Sequence, residues 1–324
     1  VSTASYDYRG DTAPTDRFNT FLTPNIIATQ ALANLYETTV MAQLVYRDYE
    51  QDFQGRVGDT ITVRKPPTFT AREYQRKDGI TIQDASESGI PVTLNHFADV
   101  SFAVTSEELT LEISDFNDRL LNPAMEAISQ KIDADLLTLR NDITNQVGAI
   151  AGEVWSDPKA LIAAGRVLTQ NKVPQTGRNA VVGPVTAAEW LKSDLMNRFD
   201  ARGDTEGLRE AAIGARLFGM DPYTTNHITV PPAVNGNSTT EIGVAFHETA
   251  FALVFRPLEL PRGAAQASVA SYKGFGLRVV IDYDIDKKMD VVSVDCLYGV
   301  KTIDPNRAVL IKGKNVGDPD PAAP

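Results

Sequence analysis

DFNDRLLNPAMEAISQKIDADLLTLRNDI, residues 115–143, is the stretch on which the fold turns. Its apolar residues Leu121, Met125, Ile128, Ile132, Leu136, Leu139 and Ile143 are spaced by steps of four, three, four, four, three and four. That is the period of one helix face. Ser114 or Asp115 can cap the start. A helix over the whole stretch would run roughly 40 Å at about 1.5 Å per residue, far enough to cross most of a domain of this size. The opposite face carries Asp118, Glu126, Lys131, Asp133, Arg140 and Asp142. Pro123 has no amide hydrogen to give, so the sequence predicts either a kink there or a later start. Taken alone, the stretch suits the core helix of any large α+β enzyme or the spine of a structural protein.

Immediately before it the pattern changes. From Asp59, Ile61 and Val63 alternate with Thr60, Thr62 and Arg64, the period of a strand. Pro66 and Pro67 stop that strand. A second piece spans 69–74, a polar segment follows over 75–89, and Val92, Leu94, Val100, Phe102 and Val104 mark the return. The plainest expectation is a long two-stranded excursion, out at 59–74 and back at 91–104. A hairpin of this kind has little core of its own, and one that persists usually lies on something else, often another subunit. Thr105–Glu108 then reads as a capping box opening a short helix.

The two regions are charged oppositely. Residues 56–77 hold Arg56, Arg64, Lys65, Arg72, Arg76 and Lys77 against Asp59 and Glu73, a local charge of +4. Residues 106–145 hold Glu107, Glu108, Glu112, Asp115, Asp118, Glu126, Asp133, Asp135 and Asp142 against Arg119, Lys131 and Arg140, a local charge of −6. Two solvated faces is one reading. The sharper one lays the basic excursion of one subunit across the acidic spine of its neighbour, where complementary potentials guide register and encounter. The inter-subunit contact residues on this reading are Arg56, Arg64, Lys65, Arg72, Arg76, Lys77, Glu107, Glu108, Asp115, Asp118, Glu126 and Asp133.

Farther out, residues 1–22 are polar and without period, an extended or mobile arm. Thr23-Pro24 resembles an N-cap with proline at the first helical position, opening a helix over about 25–47. After the spine the sequence predicts a helix from Ser156 to about Asn171, a buried strand at 179–182, and a helix from Gly183-Pro184 to about Phe199. A charged loop follows at 200–210. Pieces punctuated by Gly214, Gly219 and Pro222 come next, then a strand at 242–246 and a short helix at 248–255. A hairpin pairs 277–283 with 289–297, and 309–311 can add a strand. The tail GDPDPAAP has the composition of a disordered segment.

The chain has 324 residues, enough for one large domain or a few subdomains. Its formal net charge of −11 makes it a poor candidate for gripping nucleic-acid phosphates. The single cysteine, Cys296, permits no disulfide within the chain and reads as a buried structural thiol. No apolar run reaches the ~18 residues of a membrane span, and the N-terminus has no signal-peptide core, so synthesis in the cytosol is expected. Removal of an initiator Met accounts for Val1 more simply than cleavage of a longer precursor.

Catalytic patterns are missing from the sequence. His247-Glu248 begins like a zinc-protease helix, but the second histidine is absent, and His96 and His227 are the only others. There is no GxSxG, no phosphate-binding loop and no complete GxGxxG; Gly274 and Gly276 alone are weak. Paired acids such as Asp133/Asp135 and Asp282/Asp284 carry no mark of an acid/base pair. Arg-Gly-Asp at 9–11 and 202–204 is short enough to recur by chance. These absences favour a structural protein, with no cofactor and no metal site.

The order of arm, helix, long hairpin excursion, spine helix, compact α/β region and final hairpin resembles the major capsid proteins of tailed bacteriophages, with the Hong Kong 97-type fold. GDTITVRKP at 58–66, with the helix before it, resembles the start of the extended loop in the coat proteins of the short-tailed enteric phage type. FAVTSEELTLEISDFNDRLLNPAMEAISQKIDADLL at 102–137 is similar to the segment leading into the spine. VVGP at 181–184 and LREAAIGARLFG at 208–219 resemble the axial domain. AFHETAFA at 245–252 and DCLYGV at 295–300 resemble later peripheral-domain pieces.

The resemblance implies an α+β capsid fold, organised as an N-terminal arm and helix over 1–54 and an extended loop over 55–104. A peripheral domain with the spine helix follows over 105–180, then an axial domain over 181–264. A return to the peripheral domain over 265–312 and a tail over 313–324 complete it. It also implies hexamers and pentamers in an icosahedral shell around packaged double-stranded DNA, assembled in the host cytoplasm into a virion. Scaffolding and portal proteins would be partners, and a decoration protein could join them. No membrane is involved, and the DNA would be held without sequence-specific binding. Some relatives cross-link Lys to Asn, but no acceptor and acid can be assigned to Lys65 or Lys77. An encapsulin-type nanocompartment shell is the competitor within the fold, and a soluble hydrolase the competitor outside it.

Overall fold

From Met125 to Leu136 the apolar seam of the opening stretch lies on a helix, which tightens to a 3₁₀ turn at Leu139–Asp142 and leaves Ile143 extended, and two β-sheets are arranged about it. The computed structural model describes residues 27–29, 31, 32, 35, 39–47, 60–65, 71, 73, 76, 77, 88–105, 120–150, 152–197, 216–256, 258–263, 266–272 and 275–318. In chain order its elements begin with α1 (Met41–Leu44), β1 (Thr60–Lys65), β2 (Ser88–Thr93), β3 (His96–Thr105) and the spine helix α2 (Asn122–Thr138). They continue with β4 (Gln146–Val147), α3 (Ala160–Gln170), β5 (Arg178–Val182), α4 (Pro184–Lys192), α5 (Asp194–Asn197) and β6 (Asp221–Thr224). The last are β7 (Gly243–His247), β8 (Phe251–Arg256), β9 (Gln266–Tyr272), β10 (Phe275–Asp284), β11 (Met289–Thr302) and β12 (Ala308–Ile311). The predicted arm, the Thr23-Pro24 cap, the capping box beyond Thr105, the loop at 200–210 and the end of the tail lie outside the described residues.

β3, β11, β10 and β9 form an antiparallel sheet in that order, and β8 pairs with the C-terminal part of β11 from Leu297 to Thr302. Along β11 every second residue, Val292, Val294, Cys296 and Tyr298, is buried. These share one core with Leu277 and Val279 of β10 and with Met125, Ile128, Ile132 and Leu136 of the spine. Period two on the sheet thus meets period 3.6 on the helix. Pro123 falls in the first turn of α2, where its missing N–H costs nothing. Leu120 and Leu121 run into α2 as a π-helical turn, and the residues before Leu120 lie outside the described residues.

The second sheet has the order β4-β12-β7-β5-β6. All five residues of β5 and of β7 are buried, because both faces of the sheet are covered. Ala180, Val182, Ala245, Val309 and Ile311 pack with α3 and with Trp190 of α4. Val181, Val244, Phe246 and Ala308, one step out of phase, belong to the core under the spine. The second sheet is therefore a wall shared by two cores.

Several expectations need correction. The predicted return strand at 91–104 is two strands: β2 pairs with β1, whereas β3 leaves the excursion and pairs with β11 over ten residues. The short helix expected at 248–255 is a single 3₁₀ turn, Glu248–Ala250, followed by strand β8. A short continuous apolar run fits a buried strand or helix equally, and here the open pairing positions on β11 decide. The helix expected over 25–47 breaks at Thr39-Val40, and the helix after Gly183 breaks at Ser193. The sheets also cross the expected domain limits. β4 and β12 join the sheet of β5, β6 and β7, and β8 joins the sheet of β11.

Candidate assembly surfaces

The excursion begins as an antiparallel pair, with Thr60 opposite Thr93 and Lys65 opposite Ser88. Pro91 is tolerated opposite Thr62 because, among the described residues, no third strand pairs with β2. Of the six basic candidates, Arg64 and Lys65 lie on β1, and Arg76 and Lys77 lie in an exposed turn. Arg56 and Arg72 lie outside the described residues, as do Glu107, Glu108, Asp115 and Asp118.

The acidic residues of the spine separate by environment. Glu126 is exposed and accepts a hydrogen bond from Gln130 Nε2 at 3.2 Å. Asp135 is engaged: Tyr298 Oη donates to its Oδ2 at 2.6 Å, Lys131 Nζ lies 3.4 Å away and His96 Nδ1 3.2 Å away. The His96 ring stacks on Tyr298, centroids 5.3 Å apart. Burial, and then the bond to Asp135, push the Tyr298 phenol well above its usual range. Asp142 accepts from Thr302 Oγ1 at 2.7 Å. These three bind the spine to its own sheet or lie along it.

Asp133 does not belong to an outward face, contrary to the sequence reading. It is 3% exposed. Its carboxylate accepts the backbone N–H groups of Val40 at 2.9 Å, Met41 at 3.1 Å and Ala42 at 3.3 Å. These are the free donors at the start of α1, so a side chain more than ninety positions away does the work of an N-cap. Burial pushes the Asp133 carboxyl up, while the three N–H groups and His227 pull it back down. The helix-period reading missed this because the spine buries a second flank, Ser129, Asp133 and Leu137, beside the seam. The one visible signal was Leu137, an apolar residue off the seam.

Other buried polar groups are likewise structural. Glu241 accepts from the N–H groups of Val185 and Thr186 and from Thr186 Oγ1, capping α4. Gly183 is needed there, because a Cβ would stand 2.4 Å from Glu241 Oε2. Arg178 is buried among carbonyls, donating to Pro174 O and Val173 O at 2.7 Å each, and burial lowers its pKa. His247, the start of the zinc-like fragment, accepts the Thr249 N–H through Nδ1 at 3.2 Å and opens the 3₁₀ turn; burial pushes its pKa down. Cys296 is buried, and burial, then the charge of Asp295, push its thiol up to about 12. Arg278 grips Asp295 through two bonds, at 3.0 and 2.7 Å. Among the described residues no group of three or more His, Cys, Asp or Glu could hold a metal, and no helix is long and apolar enough to cross a membrane.

A spine helix on a sheet, a second sheet walled between two cores and a two-stranded ribbon leading into β3 define a capsid-type shell subunit. Comparison with solved structures gives the same fold. The chain is similar to Mycobacterium phage Che8 at 24% identity, with 84% of this chain and 90% of that chain covered and a TM-score of 0.61. It is similar to the capsid of Ralstonia phage GP4 at 9% identity, covering 85% and 88%, with a TM-score of 0.53. It is also similar to the virus-like particle from Pyrococcus furiosus at 12% identity, covering 89% and 98%, with a TM-score of 0.50. Comparison with the sequences of curated proteins gives no match. A family model described as phage capsid protein matches residues 101–310. The chain therefore belongs to the phage capsid protein family, and it is a major capsid protein of the Hong Kong 97-type fold. The family match favours a phage shell over the nanocompartment alternative.

Proposed function

We propose that this coat subunit forms hexamers and pentamers of a shell that encloses double-stranded DNA, and that the β1–β2 excursion reaches a neighbouring subunit. One observation carries the reading: the excursion leaves the body as a two-stranded ribbon, a shape that is marginal alone in water. A surface outside the ribbon must complete it. The basic residues Arg56, Arg64, Lys65, Arg72, Arg76 and Lys77 meet the acidic Glu107, Glu108, Asp115, Asp118 and Glu126 of the neighbour. Asp133 is withdrawn from this set by its burial.

The working domains follow the sheets. The extended loop covers about 55–95, the peripheral domain rests on α2 and the β11 sheet, and the axial domain rests on the β7 sheet, including β4 and β12. The role is structural rather than catalytic. The net charge of −11 suits a container that holds its DNA loosely. A scaffolding protein, a portal and a decoration protein complete the list of partners, and assembly takes place in the host cytoplasm. The full chain is expressed with and without a co-expressed scaffold and imaged by negative-stain microscopy. Regular shells containing hexamers and pentamers are expected; monomers under every condition overturn the reading.

A further inference from the structure

The residues at the base of the excursion are packed in a way the shell reading alone does not require. Val92 and Leu94 are buried in a small core of their own with Val254, and Leu297 and Ile303 pack against it. Val254 is the register partner of Gly299 across β8 and β11. Gly299 has no positive φ, so its backbone would suit any residue. Its reason is space: a Cβ there would stand 2.3 Å from the carbonyl oxygen of Thr93 and 3.4 Å from Leu94 Cα. The Thr93–Leu94 backbone therefore lies directly on β11. Two residues later the chain is fixed again, where His96 stacks on Tyr298 and approaches Asp135 of the spine.

We infer that Gly299, Val254 and Val92 form a seat that sets the direction in which the excursion is presented, making them positioning residues for the contact with a neighbouring subunit. A ribbon held only at its turn into β3 would swing about one or two peptide bonds. Here three consecutive anchors, at Val92, at Thr93 on Gly299 and at His96, hold its root on both the sheet and the spine. A methyl group at Gly299 pushes the root off β11 without touching the contact surface itself. This inference rests on the excursion being the arm that reaches the neighbour.

The test uses the full unassembled chain carrying nitroxide labels at Ala71→Cys on the excursion and Ala103→Cys on β3, both exposed positions. The buried Cys296 is not expected to take label. Pulsed electron–electron resonance reads the distance distribution, and microscopy of unlabelled chains reads shell yield. One narrow distribution is expected with the native seat. Gly299→Ala should broaden or shift it and cut shell yield. Val92→Ala, which leaves β11 intact, should do so more mildly and carries the test if Gly299→Ala does not fold. Unchanged distributions in both variants overturn the seat and leave the arm standing. A broadened distribution with normal shells overturns the arm and leaves the seat standing.

Discussion

Replacing Asp133 by Ala should loosen the N-terminal segment from the spine. Three backbone donors lose their acceptor at 2.9, 3.1 and 3.3 Å, in a place where water cannot replace it. A hydrogen bond to a charged group contributes roughly 1.5–3 kcal/mol, which for three such bonds would be large. Two features reduce it. The bond to Ala42 is long, and burying the carboxylate already opposes its charge, as its raised pKa shows. A net loss of about 3 kcal/mol is expected for Asp133→Ala, a substantial part of a typical total stability. Asp133→Asn should cost about 1–2 kcal/mol, because its one remaining oxygen can still take the Met41 and Ala42 donors while its amide group faces the Val40 N–H. Urea unfolding of the unassembled subunit gives the energies, and hydrogen exchange gives the location. Exchange at the amides of 40–42 should rise before exchange in β10 or β11. Equal urea midpoints for wild type and Asp133→Ala, with the amides of 40–42 still protected, would refute the reasoning.

The raised pKa of Asp133 also has a sign. The folded state binds this proton more tightly than the unfolded state, so stability attributable to Asp133 is fully present below about 3.9 and declines as pH rises towards the folded value. Asp133→Asn lacks that slope, and parallel stability–pH curves for the two proteins would count against it. In the Arg278–Asp295 pair the side chains are 19% and 5% exposed. Arg278→Met alone should cost about 3–5 kcal/mol by stranding the carboxylate, and replacing both residues with apolar ones should recover most of the loss in a double-mutant cycle. Reversing charge at Arg72, Arg76 and Lys77 should abolish shells while changing subunit stability by no more than about 0.5 kcal/mol. High salt should weaken wild-type assembly in the same direction, and normal shells from the reversed variant would remove the electrostatic part of the contact.

The candidate site was legible where it depends on local pattern. The ribbon at 60–65 with its basic residues and the exposed Glu126 can be read from alternation and composition. What Asp133, Asp135 and Asp142 do cannot, because each is defined by a partner far away in sequence: the N–H groups of 40–42, Tyr298 and Thr302. A carboxylate on a helix carries no local mark of whether it faces water or a buried donor.

By itself the sequence determined the spine, the final hairpin, the buried thiol and the order of elements that resembles a capsid subunit. Each of these follows from periodicity or composition within one segment, where the spacing of apolar residues sets which face is buried. Only the tertiary structure decided that residues 96–105 leave the excursion for the main sheet, that 251–256 extend as a strand and that β4 and β12 complete the sheet of β7. Pairing partners in a sheet come from distant parts of the chain, so an apolar run takes its final form from the edge that receives it. The spine shows both sides of that division: its seam was visible in the spacing of seven apolar residues, and its second buried flank, with Asp133 closing the N-terminus of α1, existed only once the N-terminal segment had packed against it.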